Sequence, residues 1–322
     1  MPVDEFGIIR RHFVRQKPAR ADVVTGIGDD AALLQVPHRY ELAVCIDTLV
    51  AGRHFPEDTP PASIGHKALA VNLSDLAAMG ADPAWATLAL TLPEYDQSWM
   101  DDFMRGFFRL ADHCGVELVG GDTTRGPLTV SVQVHGFVPQ GQAVLRRGAQ
   151  HGDLVYVTGT LGDAGLALHL KDAASDPLRR RLDFPEPRIA AGKELRGQAS
   201  AAIDVSDGLL ADLGHLLETD GLGASLRVDE LPRSREFLDR LKHAGTEAAA
   251  LFYELPLAAG DDYELCFTVA EDKAAPLEAT ISSLDCGCTC IGVIEAEPGI
   301  RCIRRDGSEY LPEGTGYLQF GD

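Results

Sequence analysis

Residues 68 to 80 read Ala68-Leu69-Ala70-Val71-Asn72-Leu73-Ser74-Asp75-Leu76-Ala77-Ala78-Met79-Gly80. The run is apolar or small nearly all round, broken by Asn72, Ser74 and Asp75, and a helix of that composition is buried on every side. Ser63 is the expected N-cap, Gly80 the residue past the last turn and Pro83 the stop, which gives a helix over 63–79. Asn72 and Asp75 share a face. Because an unpaired buried carboxylate is costly, Asp75 is expected to face a cation, with capping by backbone donors as the other reading.

Working outward, strands are expected at 41–48, ending at Asp47-Thr48, at 85–92 and at 128–138. In the last of these Leu128, Val130, Val132 and Val134 alternate with polar residues. A helix over 97–113 and a short strand at 116–119 lead into Gly120-Gly121-Asp122, read as a loop. Strands and helices intermix, so the fold class is α/β or α+β. The polar, glycine-rich stretch from Pro139 to Asp153, with Arg146-Arg147 inside it, reads as a boundary between domains at 1–138 and 149–322.

The second domain restarts with a strand at 154–158 and a Gly159–Gly165 turn opening a helix. That turn lacks P-loop spacing and reads as punctuation rather than a phosphate cradle. Pro185, Pro187 and Gly197 bracket another helix, and Ile203–Ser206 ends a strand from which Asp207 starts an amphipathic helix. Asp204 and Asp207 thus sit at a strand-to-helix junction, where aspartate also suits an N-cap. Further strands are expected at 224–228, 263–269, 289–295 and 300–304.

Hydrophobic residues make up 45% and charged residues 24% of the 322, the composition of a soluble globular protein. No stretch reaches the ~18 apolar residues of a membrane span, and Met1-Pro2-Val3-Asp4-Glu5 has no export pattern, so a cytoplasmic location is expected. The net charge of -20 disfavours nucleic acid and anionic membranes as partners. Seven cysteines without an export signal read as reduced thiols. Cys286, Cys288 and Cys290 lack the paired spacers and fourth ligand of a zinc site and read as thiols at a turn entering a strand.

Glycine-flanked carboxylates recur at Asp29-Asp30, Asp122, Asp204, Asp207 and Asp261-Asp262, with Asp47 and Asp75 beside small residues. Clustered carboxylates repel unless hard cations neutralise them, and oxygen-only ligands select Mg²⁺. Magnesium commonly completes its shell with phosphate oxygens, so loops of this kind converging on one cleft imply a nucleotide polyphosphate and phosphoryl transfer.

Taken together, Gly26-Ile27-Gly28-Asp29-Asp30, Asp47-Thr48-Leu49-Val50 with His54-Phe55, Ala70–Gly80, Gly120-Gly121-Asp122-Thr123-Thr124-Arg125-Gly126 and Asp204-Val205-Ser206-Asp207-Gly208-Leu209 resemble the thiamine-monophosphate kinase family nearly end to end. The resemblance implies a two-domain aminoimidazole ribonucleotide synthetase-like fold, with an N-terminal sheet domain that forms a homodimer and a C-terminal α/β domain. It implies ATP and thiamine monophosphate giving ADP and thiamine diphosphate with several Mg²⁺ ions. By the same resemblance Asp30, Asp47, Asp75, Asp122, Asp204 and Asp207 would hold magnesium. Gly121, Asp122, Arg146 and Ser206 would contact the nucleotide, and His54, Asp261 and Tyr317 the thiamine phosphate. On residues alone His54 is a loop histidine, Arg146 a boundary-loop charge and Tyr317 a core or edge aromatic.

This chain departs from the family pattern where Cys45 and Ile46 replace hydroxyl residues before Asp47, and where Asp261 stands for a longer glutamate. Nothing resembles a nucleophile with its base, so direct transfer without a phosphoenzyme is expected. The alternatives are another ATP-dependent synthetase of the superfamily and a non-catalytic Mg-nucleotide-binding module. Two of those relatives should carry a cysteine near one terminus, whereas here the first is Cys45 and the chain ends Gln319-Phe320-Gly321-Asp322.

Overall fold

The computed structural model describes residues 5–15, 20–170 and 176–317. The readings placed on residues 1–4 and 319–322 lie outside the described residues. The chain divides into two compact units, one of residues 1–76 and 81–141 and one of residues 77–80 and 142–322.

The first unit opens with α1 (Glu5–Ile8) and a π-helical turn at Ile9–Phe13, then pairs β1 (Val23–Thr25) with β2 (Leu33–Leu34). Its main sheet comes from β3 (Tyr40–Val50), β4 (Asp82–Leu92), β5 (Glu117–Arg125) and β6 (Thr129–Pro139), in the order β3-β6-β4-β5. β6 runs antiparallel to both neighbours, while β4 and β5 are parallel and therefore need a long crossover. That crossover is α3 (Gln97–Cys114), capped by Asp96, whose side chain accepts the Trp99 N–H at 2.9 Å, and closed by Gly115 at φ 68°. Met100, Phe103, Met104, Phe107 and Leu110 form its buried stripe.

The helix expected at 63–79 is α2 (Pro61–Ala78), with Gly80 left-handed at φ 65° just beyond it. Ser63 is not its N-cap. Proline at the first position starts the helix earlier, and the Ser63 hydroxyl donates instead to the Pro60 carbonyl at 2.8 Å. Helices α2 and α3 meet backbone to backbone: a Cβ at Gly65 would collide with the Phe103 carbonyl oxygen and one at Gly106 with that of Ala62. A second correction concerns Gly120-Gly121-Asp122, which lies inside β5 rather than in a loop, because the ladder with β4 continues through Leu88–Gly121 and Ala89–Asp122.

The second unit contains β7 (Leu154–Thr158), α4 (Asp163–Leu170), α5 (Pro177–Asp183), α6 (Ile189–Glu194), β8 (Ala201–Val205), α7 (Leu209–Asp220) and β9 (Gly223–Arg227). It continues with α8 (Arg235–Leu241), α9 (Ala248–Ala258), β10 (Glu264–Val269), α10 (Glu271–Ser282), β11 (Cys288–Glu295), β12 (Gly299–Ile303) and β13 (Glu309–Tyr310). The seven strands form one mixed sheet, β13-β12-β9-β11-β7-β10-β8. Strands β7, β10 and β8 are buried on both faces almost throughout, as a sheet covered by helices requires. Alternation splits the packing: Val155, Val157, Ile203 and Val205 join α7 on one side, while Tyr156, Leu265 and Phe267 join α10 on the other.

Asp207 does not start a helix; α7 begins at Leu209, after Gly208 at φ 121°. Helices α8, α9 and α10 carry no expectation in the sequence, and Pro256 and Pro276 sit inside the last two, where each removes a backbone donor from the helix. Among the described residues no helix is long and apolar enough to cross a membrane.

Candidate active site

In the first unit Asp29 and Asp30 are exposed, with the Asp30 N–H held by Asp29 Oδ1 at 2.9 Å after Gly28 at φ 128°. Asp47 is half-buried on β3 opposite Val132, on the same side of the strand as Cys45. The Cys45 thiol donates to the Asn72 carbonyl on α2 at 3.3 Å, which sets this end of β3 against the turn that carries Asp75. Asn72 is fully buried; its Nδ2 donates to the Ala68 carbonyl at 3.0 Å and its Oδ1 has no partner. Asp75, expected on a buried helix and facing a cation, is half-buried.

Asp122 is exposed on β5. The preceding Gly121, at φ 153°, has no room for a side chain, since a Cβ there would collide with the Leu88 carbonyl. His54 sits in the turn after β3, where the Val50 N–H donates to its Nδ1 at 3.1 Å. The neutral ring therefore carries its proton on Nε2, leaving that nitrogen as a donor.

In the second unit one junction gathers most of the expected residues. Asp204 is buried in β8 opposite Leu265. Beyond the strand, the Ser206 carbonyl accepts the Asp261 N–H at 2.9 Å and the Asp207 carbonyl accepts the Tyr317 N–H at 2.8 Å. The Tyr263 N–H reaches the Val205 carbonyl at 2.8 Å, and its hydroxyl donates to Asp261 Oδ1 at 3.0 Å. Asp261 and Tyr263 are both left-handed, at φ 69° and 51°, a conformation non-glycine residues hold only when neighbours enforce it. Arg146 is exposed; its neighbour Leu145 accepts the Ala202 N–H of β8 at 2.9 Å, and Gly148 and Ala149 donate to Asp220 Oδ2 at 2.6 and 3.1 Å.

Gly208, rather than Asp204 or Asp207, stands at the N-cap of α7. The carboxylate serving that corner is Asp212, buried in the first turn, whose Oδ2 accepts the N–H groups of Ser206, Asp207 and Gly208. Burial and then the charge of Asp204 push its pKa up to about 7. Asp262 is a second residue the motifs did not single out for a role. It turns inward, accepts the Gly162 N–H on both oxygens at 3.0 and 2.9 Å, and is held well above the usual carboxylate range by burial. That bond, with Leu161 N–H on the Pro232 carbonyl at 2.9 Å, occupies backbone donors of the Gly159–Gly165 turn and supports its reading as punctuation.

Next to Asp262, Glu264 is sealed from solvent between Arg188 and Arg181, at 2.5 and 2.7 Å, with the Thr158 hydroxyl at 2.7 Å. Burial raises its pKa, but Arg188 and then Arg181 outweigh that and hold it low. Among the described residues no three or more His, Cys, Asp or Glu side chains are grouped to hold a metal ion. Cys288, pushed up to about 12 by burial, is a protonated thiol at neutral pH.

Residues 28–138 match the model of the AIR synthase related protein N-terminal domain, and residues 150–305 that of the C-terminal domain. At the level of full chains, the thiamine-monophosphate kinase of Salmonella typhimurium (strain LT2) is 47% identical, covering 99% of both chains. The crystal structure of thiamine-monophosphate kinase from Stenotrophomonas maltophilia K279a superposes with a TM-score of 0.82 at 48% identity, covering 90% of this chain and 93% of that one. AaThiL complexed with AMPPCP and TMP superposes at 0.75 with 32% identity, covering 88% and 89%. The chain belongs to the thiamine-monophosphate kinase family.

Proposed function

We propose that this chain transfers the terminal phosphoryl group of ATP to the phosphate of thiamine monophosphate, giving ADP and thiamine diphosphate. The observation that carries the reading is the junction in which β8, the 261–263 segment and Tyr317 are tied by backbone hydrogen bonds around Asp204, Ser206 and Asp207. Kinship with kinases of that name, and with AaThiL bound to AMPPCP and TMP, supports it. In this reading Asp30, Asp47, Asp75, Asp122, Asp204 and Asp207 hold magnesium, Gly121, Asp122, Arg146 and Ser206 contact the nucleotide, and His54, Asp261 and Tyr317 contact the thiamine phosphate.

The donor set fits magnesium. Its side-chain ligands are carboxylates throughout, and the orphaned Asn72 Oδ1 one helical turn before Asp75 is a further hard oxygen. Magnesium is ordinarily held by one or two carboxylates together with substrate phosphates and water, so a dedicated three-carboxylate cage is not required. When bound, the ions neutralise the charge of two phosphates that must approach in line.

The protein's own work is positioning. Gly121 is exposed and offers its backbone to a nucleotide, Arg146 offers a guanidinium to its phosphates, and His54 presents Nε2–H as a neutral donor toward the acceptor phosphate. No side chain is assigned as nucleophile, so transfer is direct.

A homodimer joined through the N-terminal sheet belongs to the same reading. Strand β3 lies at the sheet edge and exposes Leu42, Val44 and Ile46 at 42%, 48% and 62%, an apolar row suited to a second copy. A cytoplasmic location completes it.

The test is to incubate the pure protein with ATP, Mg²⁺ and thiamine monophosphate and assay thiamine diphosphate and ADP. Equimolar products are expected, and Asp122→Asn should abolish them while the protein stays folded. ATP binding without turnover would leave a nucleotide-binding module in place of the kinase.

A further inference from the structure

Ser206, Asp207 and Gly208 send three successive backbone N–H groups to one oxygen, Oδ2 of Asp212, at 2.9, 3.0 and 3.1 Å. Asp212 is 3% exposed, and its own N–H returns to the Gly208 carbonyl at 3.0 Å. Starting α7 does not require this much. A side chain reaching back from the first turn ordinarily satisfies the N–H of the capping residue, here Gly208, whereas two of the three donors belong to residues upstream of the cap. Those two are Ser206 and Asp207, and their carbonyls are also taken, by the N–H groups of Asp261 and Tyr317. With N–H groups drawn to Asp212 and carbonyls drawn the other way, the peptide planes flanking both residues are fixed, and so are the directions in which their side chains leave the chain.

We propose that Asp212 is a positioning residue that presets Ser206 and Asp207 for a magnesium-bound nucleotide, an inference that rests on the nucleotide and metal roles given to those two residues above. Asp212 touches neither nucleotide nor metal; it acts through the loop. Ser206 and Asp207 are themselves the nucleotide and metal contacts, whereas Asp261 and Tyr317, assigned to thiamine monophosphate, meet the loop only through its carbonyls, so the larger effect of losing Asp212 falls on ATP and Mg²⁺.

Steady-state kinetics with ATP, thiamine monophosphate and Mg²⁺ varied separately tests this in Asp212→Leu, which keeps the volume and removes the acceptor, and in Asp212→Asn, which keeps an acceptor oxygen. The leucine variant should raise the KM for ATP and the half-saturating Mg²⁺ concentration by about tenfold, leaving the KM for thiamine monophosphate within about twofold. The asparagine variant should recover most of the ATP affinity.

A folded leucine variant with an unchanged KM for ATP overturns the proposal. So does an equal loss for both substrates with no recovery in asparagine, the signature of a purely structural group. If the leucine variant does not fold, Asp212→Ser, too short to reach all three donors, takes its place with the same expectations. Ser206→Ala and Asp207→Asn are measured alongside. Normal ATP kinetics in both would remove the site reading itself, whereas defects in both beside a normal leucine variant would remove only the positioning role.

Discussion

At the scale of single residues, the same letters do opposite jobs according to which way the backbone turns them. Asp261 and Asp262 are adjacent, yet the first is tied to the β8 junction and the second points inward to Gly162. Gly121 is the residue where a single atom decides most. Alanine there would have to hold φ 153° and place its Cβ against the Leu88 backbone, a combination of strain and collision costing at least ~1–3 kcal/mol. Gly121→Ala is therefore expected to lower the melting temperature and to weaken ATP binding by about tenfold or more. Wild-type melting and ATP kinetics in that variant would show that β5 has room to spare. The need for glycine was visible in the Gly-Gly-Asp motif; which backbone it approaches was not, because Leu88 is 33 residues away in the chain and becomes a neighbour only through the β4–β5 ladder.

At the scale of elements, periodicity located most strands and the helices α2, α3 and α7, and it erred where chemistry competes with pattern. Glycines led the expectation to end β5 at residue 119, although a strand paired on one side can carry them. Aspartates before α7 suit its N-cap by sequence, but the carboxylate that holds the N–H groups of that corner lies inside the first turn, at Asp212. Strand β3 shows the limit of alternation in another way. Its exposed positions, Leu42, Val44 and Ile46, are as apolar as a core face, and water is an unfavourable neighbour for a row of this kind. Because a two-fold interface places the same residue on both sides, one charge enters twice, and Ile46→Lys is expected to convert a dimer into monomers in light scattering. An unchanged mass relative to a dimeric wild type would exclude β3 as the contact, and a monomeric wild type would remove the homodimer.

At the scale of the whole molecule, stability should carry the signature of its buried acids. Asp262 and Asp163 are held above the unfolded carboxylate range by burial, so folding takes up protons, and stability falls as pH rises from about 4 through their folded pKa values. Glu264 has the opposite sign: its lowered pKa contributes stability at neutral pH that is lost as pH falls through the folded value. Asp262→Asn keeps an acceptor for Gly162 and removes one proton-linked group, so its urea-unfolding free energy should fall less steeply above pH 4 than the wild type's, by up to about 1.4 kcal/mol per pH unit. Parallel curves would mean that Asp262 is ionised in the folded protein. Composition and periodicity by themselves determined the fold class, and the resemblance carried by the quoted motifs gave the family, because both rest on residue type and short spacing. Only the tertiary structure decided that Ser206, Asp207, Asp261 and Tyr317 meet at one junction, and that Asp212 and Asp262 serve backbone donors, because those partnerships are hydrogen bonds between segments that become neighbours only when the sheet has closed.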